Sequence, residues 1–346
     1  MSNFEPKSQL YQYKEAYVLT DYPQAVEYAD AQNHVFWTHG EIDVSKDIQD
    51  MRVHMTPAEY HGIITTLKLF VKYEVHVGVD HWIKNIMMRY PRPEIQRMAN
   101  CFSFVETNIH APFYSKLNEA LMLDTEDFYM SYLQDPELAA RANFIGKYTS
   151  SKNKEQSVVN DLISLGVFSL IEGAVLYSSF AFLKHFQAEG KNKMLNVVRG
   201  INFSVRDENL HAEAGAWLFR TLLKEALECG DITQEERLHV LAHVHSAARM
   251  IEEHEGRIID MIYEKGQIPG LKQVDLKTFV KSRVDLCLSN LNIEPIYKVQ
   301  ENPIADWFYK NINSVQFNDF FSGLGSNYNR NWNETGFTWK PKEERE

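Results

Sequence analysis

A run of apolar and small residues extends from Leu162 to Leu183, with one carboxylate, Glu172, near its middle. Length alone would let such a run cross a bilayer. A carboxylate at the bilayer centre is costly, however, and no basic flank dominates either end. The run is therefore read as a helix buried on all sides in a bundle. An acid at the centre of such a helix needs a partner, because an unpaired buried charge is expensive. No strand, internal repeat or interdomain linker is legible elsewhere. The expected fold is all-α, with an amino-terminal arm over 1–35, a helical domain over 36–316 and an irregular carboxy-terminal tail over 317–346.

Three other helices offer partners for Glu172. Thr56-Pro57-Ala58-Glu59 is a capping box with proline at the first helical position, so a long helix is expected from Pro57 to near Arg89. Its apolar stripe runs Ile63, Leu67, Phe70, Glu74, Val77, and Glu74 interrupts it; His76 and Asp80 fall on the opposite face, toward solvent. Pro93 starts a second helix with Phe102, Glu106, Ile109 and Phe113 on one stripe, which leaves His110 and Tyr114 about 100° off it. A one-residue π-bulge after Glu106 would bring His110 into line, and Pro112 already removes a ladder hydrogen bond there. A local distortion is therefore expected across residues 107–112. The third helix, from Lys193 to about Cys229, carries Ser204-Val-Arg-Asp-Glu-Asn-Leu-His211, in which Glu208 and His211 share a face. Gly215 lies on the same stripe, which suggests close packing by a neighbour. A single helix is expected from about Glu155 to His185 around Glu172.

Taken singly, each acid has a bland explanation as half of a buried ion pair. Together, Glu74, Glu106, Glu172 and Glu208 with His110 and His211 make the ligand inventory of ferritin-like di-iron and di-manganese bundles. Four carboxylates and an oxo bridge neutralise two trivalent metal ions, and a neutral cluster can be buried where lone charges cannot. Oxygen and imidazole donors suit iron or manganese rather than zinc–thiolate chemistry. His239, His243, His245 and His254 also share a helix, but no carboxylate interrupts its core stripe, so ordinary core or solvated roles are expected for them.

Bulk properties exclude other classes. The net charge of −11 argues against nucleic acid as a partner, since phosphate binding needs a basic surface. Cys101, Cys229 and Cys287 are widely spaced, which points to a reducing, cytoplasmic setting and to no thiol redox site. The first ten residues lack an apolar signal core, and no membrane association is expected.

From Phe36 onward the chain resembles the small, radical-generating subunit of class I ribonucleotide reductase, most densely over Glu172–Phe186 and Ser204–Arg220. The resemblance implies a ferritin-like bundle with a dinuclear metal centre, Fe2 first and Mn/Fe or Mn2 as alternatives, on Glu74, Glu106, His110, Glu172, Glu208 and His211. It implies that the reduced centre reacts with O2 and oxidises Tyr114, inside an apolar pocket that includes Leu176 and Phe180. It implies a homodimer that passes the radical to a large (alpha) subunit, where ribonucleotides become deoxyribonucleotides. Trp37, alone a packing anchor, joins His110 and Asp207 in the transfer route, and Tyr328 is the candidate carrier in the tail. Glu74 stands where Asp is commoner in the family, the extra residue between Glu106 and His110 leaves Phe113 or Tyr114 to face the centre, and Lys340–Glu346 departs from the familiar tail. A ferritin-like di-metal (Mn/Fe) oxidase acting without a large subunit is the alternative; metal storage and a metal-free scaffold are the remote ones.

Overall fold

The structure, a computed structural model, describes residues 5–149 and 156–309. Helices α1 (Pro23–His34), α2 (Pro57–Val75), α3 (Pro93–Val105), α4 (Ala111–Ala120), α5 (Glu126–Met130) and α6 (Pro136–Thr149) form the amino-terminal half. Helices α7 (Val158–Ala174), α8 (Tyr177–Lys184), α9 (Leu195–Cys229), α10 (Gln234–Ile262) and α11 (Gln273–Asn290) follow. Among the described residues there is no strand, only one isolated bridge between Ile268 and Leu271.

Local chemistry explains most boundaries. Thr56 and Thr233 each accept from the backbone N–H three residues on, while Glu59 and Glu236 reach back to the cap, closing two capping boxes. Gly230 ends α9 in the left-handed conformation at φ +76. α7 lies most extensively against α9, and α10 and α11 cover its other sides. Almost every residue of α7 from Leu162 onward is buried, as a helix apolar all round requires. The stretch Val158–Ala188 is long and apolar enough to cross a membrane by length and composition, but 78% of its most apolar window lies inside the fold.

Two of the expected helices depart from the sequence reading, and one expected distortion is present. The helix beginning at Pro57 does not stay α-helical to Arg89; it turns into a π-helix over His76–Met87. The expected distortion of the next helix is a π-turn over Glu106–His110, between α3 and α4. The helix expected from Glu155 to His185 is broken: Val175 is extended and Leu176 takes φ +71 before α8 begins. Gly215 does face a neighbour, Ser169 of α7, but at 3.6 Å from a built Cβ, which leaves room for a methyl group. The helix after Asn302 is described over residues 303–309, and the tail with Tyr328 lies outside the described residues.

Candidate metal centre and radical route

Glu74 ends α2, Glu106 opens the π-turn, Glu172 lies near the end of α7, and Glu208 and His211 lie in mid-α9. All six candidate ligands are buried, none more than 1% exposed. Their donor atoms form two overlapping groups, Glu74–Glu106–His110–Glu208 and Glu106–Glu172–Glu208–His211, each within 4.8 Å. Glu106 and Glu208 belong to both, so each could serve both ions of an adjacent pair. Close approach of the first two helices depends on Gly78, where a Cβ would press on Thr107 and on the Glu106 Cβ.

The donor atoms fit a metal pair better than they fit one another. Both oxygens of Glu74, both of Glu208, Glu106 Oε1 and His211 Nδ1 are buried without a hydrogen bond. His211 Nδ1 lies 2.6 Å from Glu106 Oε1 in a direction that closes no hydrogen bond. His110 Nδ1 lies 3.0 Å from Glu106, 3.2 Å from Glu208 and 3.7 Å from Glu74 oxygens. Native proteins rarely leave so many buried polar atoms unpaired. Two cations would satisfy them together. Burial, with the charges of neighbouring carboxylates, raises Glu74, Glu172 and Glu208 above the usual carboxylate range. Burial acts the same way on Glu106, but His110 and His211 outweigh it and hold that carboxyl low. Metal binding at this site must therefore displace protons.

The outer partners orient the ligands. His211 Nε2 lies 3.0 Å from Gln32 Oε1 on α1, and His110 Nε2 lies 3.2 Å from Asp207 Oδ2. Oxygen acceptors at both Nε2 atoms hold a proton there, so each Nδ1, on the side of the carboxylates, is the nitrogen left for a metal ion. Glu172 is held by Trp82 Nε1 at 2.9 Å and faces the Tyr73 hydroxyl at 3.4 Å. Gln32, Tyr73 and Trp82 were not singled out from the sequence. The π-helix shifts Trp82 off the 3.6-residue phase that would have marked it, and a lone glutamine on α1 carries no signal.

Asp207 Oδ2 also accepts from Trp37 Nε1 at 2.8 Å, so Trp37, Asp207 and His110 form one buried hydrogen-bonded line. Burial would raise Asp207, but Arg206, His110 and Trp37 together hold it low, as a ready acceptor. The Trp37 ring lies 6.0 Å from the His110 ring and is flanked by Phe113 and Phe203 at 5.7 and 5.3 Å. Tyr114 is wholly buried, edge-on to Phe70 at 4.6 Å, and Phe70 in turn meets Phe180 at 5.7 Å. Burial and, next, the charge of Glu74 raise the Tyr114 hydroxyl well above its ordinary range. Phe113 packs on Trp37 and over Gly200, whereas Tyr114 packs on Phe70. Leu176 is buried at the α7–α8 break.

Known proteins share both the fold and the sequence pattern. The chain is 26% identical over 322 residues to a probable ribonucleoside-diphosphate reductase small subunit of Invertebrate iridescent virus 3, covering 89% of this chain and 82% of that one. It is 27% identical over 310 residues to the ribonucleoside-diphosphate reductase subunit beta of Treponema pallidum, covering 87% and 83%. Among solved structures, a putative class I ribonucleotide reductase from Bacillus halodurans superposes with TM-score 0.74 at 22% identity, over 84% of this chain and 99% of that one. The dimanganese(II)-NrdF of Streptococcus sanguinis superposes with TM-score 0.68 at 17% identity, over 86% and 99%. The family model described as "Ribonucleotide reductase, small chain" matches residues 16–303, which include all six candidate ligands as well as Trp37 and Asp207. A helical bundle with a paired carboxylate–histidine site, matched over that span, belongs to the ribonucleotide reductase small-chain family.

Proposed function

We propose that this chain is the radical-generating small subunit of a class I ribonucleoside-diphosphate reductase, with Glu74, Glu106, His110, Glu172, Glu208 and His211 as metal ligands and Tyr114 as the radical carrier. The observation that carries the reading is the continuous line from the ligand His110 through Asp207 to Trp37. An oxidase working alone would have no use for a buried tryptophan wired to a ligand histidine. When bound, a dinuclear iron or manganese centre would supply oxidising power drawn from O2.

The residues' own contributions follow from their surroundings. Tyr114 keeps its phenolic proton at physiological pH, so its oxidation removes an electron and a proton together. Phe70, Phe113 and Phe180 exclude water around it, which slows quenching of a phenoxyl radical. Trp37 can give up an electron while Asp207 Oδ2 receives its Nε1 proton along a hydrogen bond already made. Asp207 also fixes the His110 ring, so one carboxylate serves both the metal site and the exit path. The large (alpha) subunit is the acceptor, reached through the tail; Tyr328 remains the candidate there. We read the protein as a cytoplasmic homodimer, with the arm, bundle and tail divided at residues 35 and 316. The oxygen-rich donor set suits Fe2, Mn/Fe and Mn2 alike.

Elemental analysis of natively expressed protein identifies the metal. Electron paramagnetic resonance should then show a tyrosyl signal that disappears in Tyr114→Phe while the metal content stays. Survival of the signal in that variant would refute Tyr114 as carrier, and deoxynucleotide formation without a large subunit would refute the two-subunit reading.

A further inference from the structure

Arg283 of α11 is a buried cation, 2% exposed, whose hydrogen-bond partners are all uncharged. Its Nε and Nη2 donate to the Gly173 carbonyl at 2.9 and 2.7 Å. Nη2 also reaches Asn209 Oδ1 at 3.0 Å, and Nη1 donates to the Tyr309 hydroxyl at 2.9 Å. Its guanidinium carbon stands 3.8 Å from the centre of the Tyr177 ring, and Tyr177 in turn donates to Asn209 Oδ1 at 2.8 Å. A guanidinium buried without a carboxylate is costly, so its position calls for a reason beyond filling space.

That reason lies in the two residues it grips. Gly173 directly follows Glu172, and Asn209 directly follows Glu208. α7 ends at Ala174, so its last-turn carbonyls lack the partners a continuing helix would supply. Between Gly173 and Tyr177 the chain passes through Leu176 at φ +71, a conformation unfavourable for a branched, non-glycine residue. Arg283 bonds the chain on one side of this break and stacks on the ring from the other side. α11 reaches that far in because residue 173 is glycine: a Cβ there would overlap the Cys287 sulfur and press on the Ala212 Cβ. Tyr309, the remaining partner, belongs to the segment 303–309 that leads into the tail.

We infer that Arg283 is a positioning residue: it clamps the break in α7, holds Glu172 and Glu208 at their mutual spacing, and uses Tyr309 as its anchor. The segment 303–309 is thereby part of the metal site's support. This rests on Glu172 and Glu208 being metal ligands, as proposed above.

The test is Mn(II) titration of the purified full-length chain, with free Mn(II) followed by electron paramagnetic resonance and folding by circular dichroism. Wild type should bind two Mn(II) per chain and Glu208→Ala fewer; if not, the metal-site reading fails and this proposal falls with it. Given that result, Arg283→Gln should stay helical but bind at least one Mn(II) about tenfold more weakly, the loss expected when an outer partner is removed. Tyr309→Phe deletes one hydroxyl and should shift the affinity in the same direction by less; it also serves should Arg283→Gln fail to fold. Arg283→Lys, which keeps the charge but not the fork, should recover only part of the loss. Arg92→Gln removes another buried arginine, one engaged with Asp21 and the Gln12 carbonyl, and should leave both Mn(II) affinities unchanged. Wild-type affinities and spectra in folded Arg283→Gln and Tyr309→Phe, or an equal loss in Arg92→Gln, would overturn the assignment.

Discussion

Asp207→Asn separates the electrostatic role of one carboxylate from its shape. Oδ2 now accepts from Trp37 at 2.8 Å and His110 at 3.2 Å, while Oδ1 lies 3.6 Å from Arg206 Nε. An asparagine can keep its oxygen in the Oδ2 position and preserve both contacts. Its NH2 group then faces the Arg206 guanidinium, donor against donor. The two retained bonds fall from charge-assisted to neutral, a loss of about 1 kcal/mol each. About 1 kcal/mol through the His110 contact corresponds to roughly a fivefold loss of metal affinity. The amide is also a far weaker base, so Trp37 loses the acceptor for its Nε1 proton. We therefore expect folded protein, Mn(II) binding weakened about fivefold, and a tyrosyl signal that recovers at high metal. Reductase turnover with the large subunit, expressed per tyrosyl radical, should be lost. Normalising to radical removes the metal-loading effect and isolates transfer. Wild-type turnover per radical in Asp207→Asn would refute Asp207 as a link in the route.

Other outcomes follow from packing and burial. The Tyr114 hydroxyl is buried without a hydrogen bond, so Tyr114→Phe should leave the metal-free protein at least as stable as wild type, by 0 to about 2 kcal/mol in urea unfolding; a clear destabilisation would mean the hydroxyl is paired. On α9, Gly215→Ala should stabilise by up to about 1 kcal/mol because the methyl fits, whereas Gly200→Ala should destabilise by about 1–3 kcal/mol because its Cβ overlaps the Phe113 ring; equal effects would refute the packing. Burial lowers Lys184 from 10.5 to about 7, so above pH 7 the unfolded chain holds a proton that the folded chain releases. Stability should therefore rise with pH through the window from about 7 to 10.5, by about 2 kcal/mol between pH 7 and 9. Lys184→Met should abolish that rise, and equal urea midpoints shifts in both proteins between these pH values would refute it.

Much of the bundle was legible because its signals are local. Capping boxes at Thr56 and Thr233, Gly230 and the prolines mark helix ends through backbone chemistry that neighbouring residues alone determine. The acids at 74, 106, 172 and 208 were legible because a charge on an apolar stripe conflicts with its surroundings, and that conflict is visible in one dimension. The π-turn at Glu106–His110 was legible for the same reason: the stripe and the histidine could not both face inward on a regular helix. The longer π-helix over His76–Met87 left no such conflict, so nothing in the stripe marked Trp82.

The sequence by itself determined an all-helical bundle and the residues that would crowd its centre, because periodicity and capping are properties of single segments. Only the tertiary structure decided how those residues meet. It set Glu106 and Glu208 in both halves of the paired site, aimed both histidine Nδ1 atoms inward by way of Gln32 and Asp207, and packed Phe113 on Trp37 while burying Tyr114 against Phe70. It also broke the Glu172 helix at Leu176. That break follows from nothing in the run Leu162–Leu183, whose residues, Glu172 apart, are apolar or small. It depends on α11, more than a hundred positions away in sequence, bringing a guanidinium to the Gly173 carbonyl. A partner that distant leaves no periodic trace beside the residue it holds.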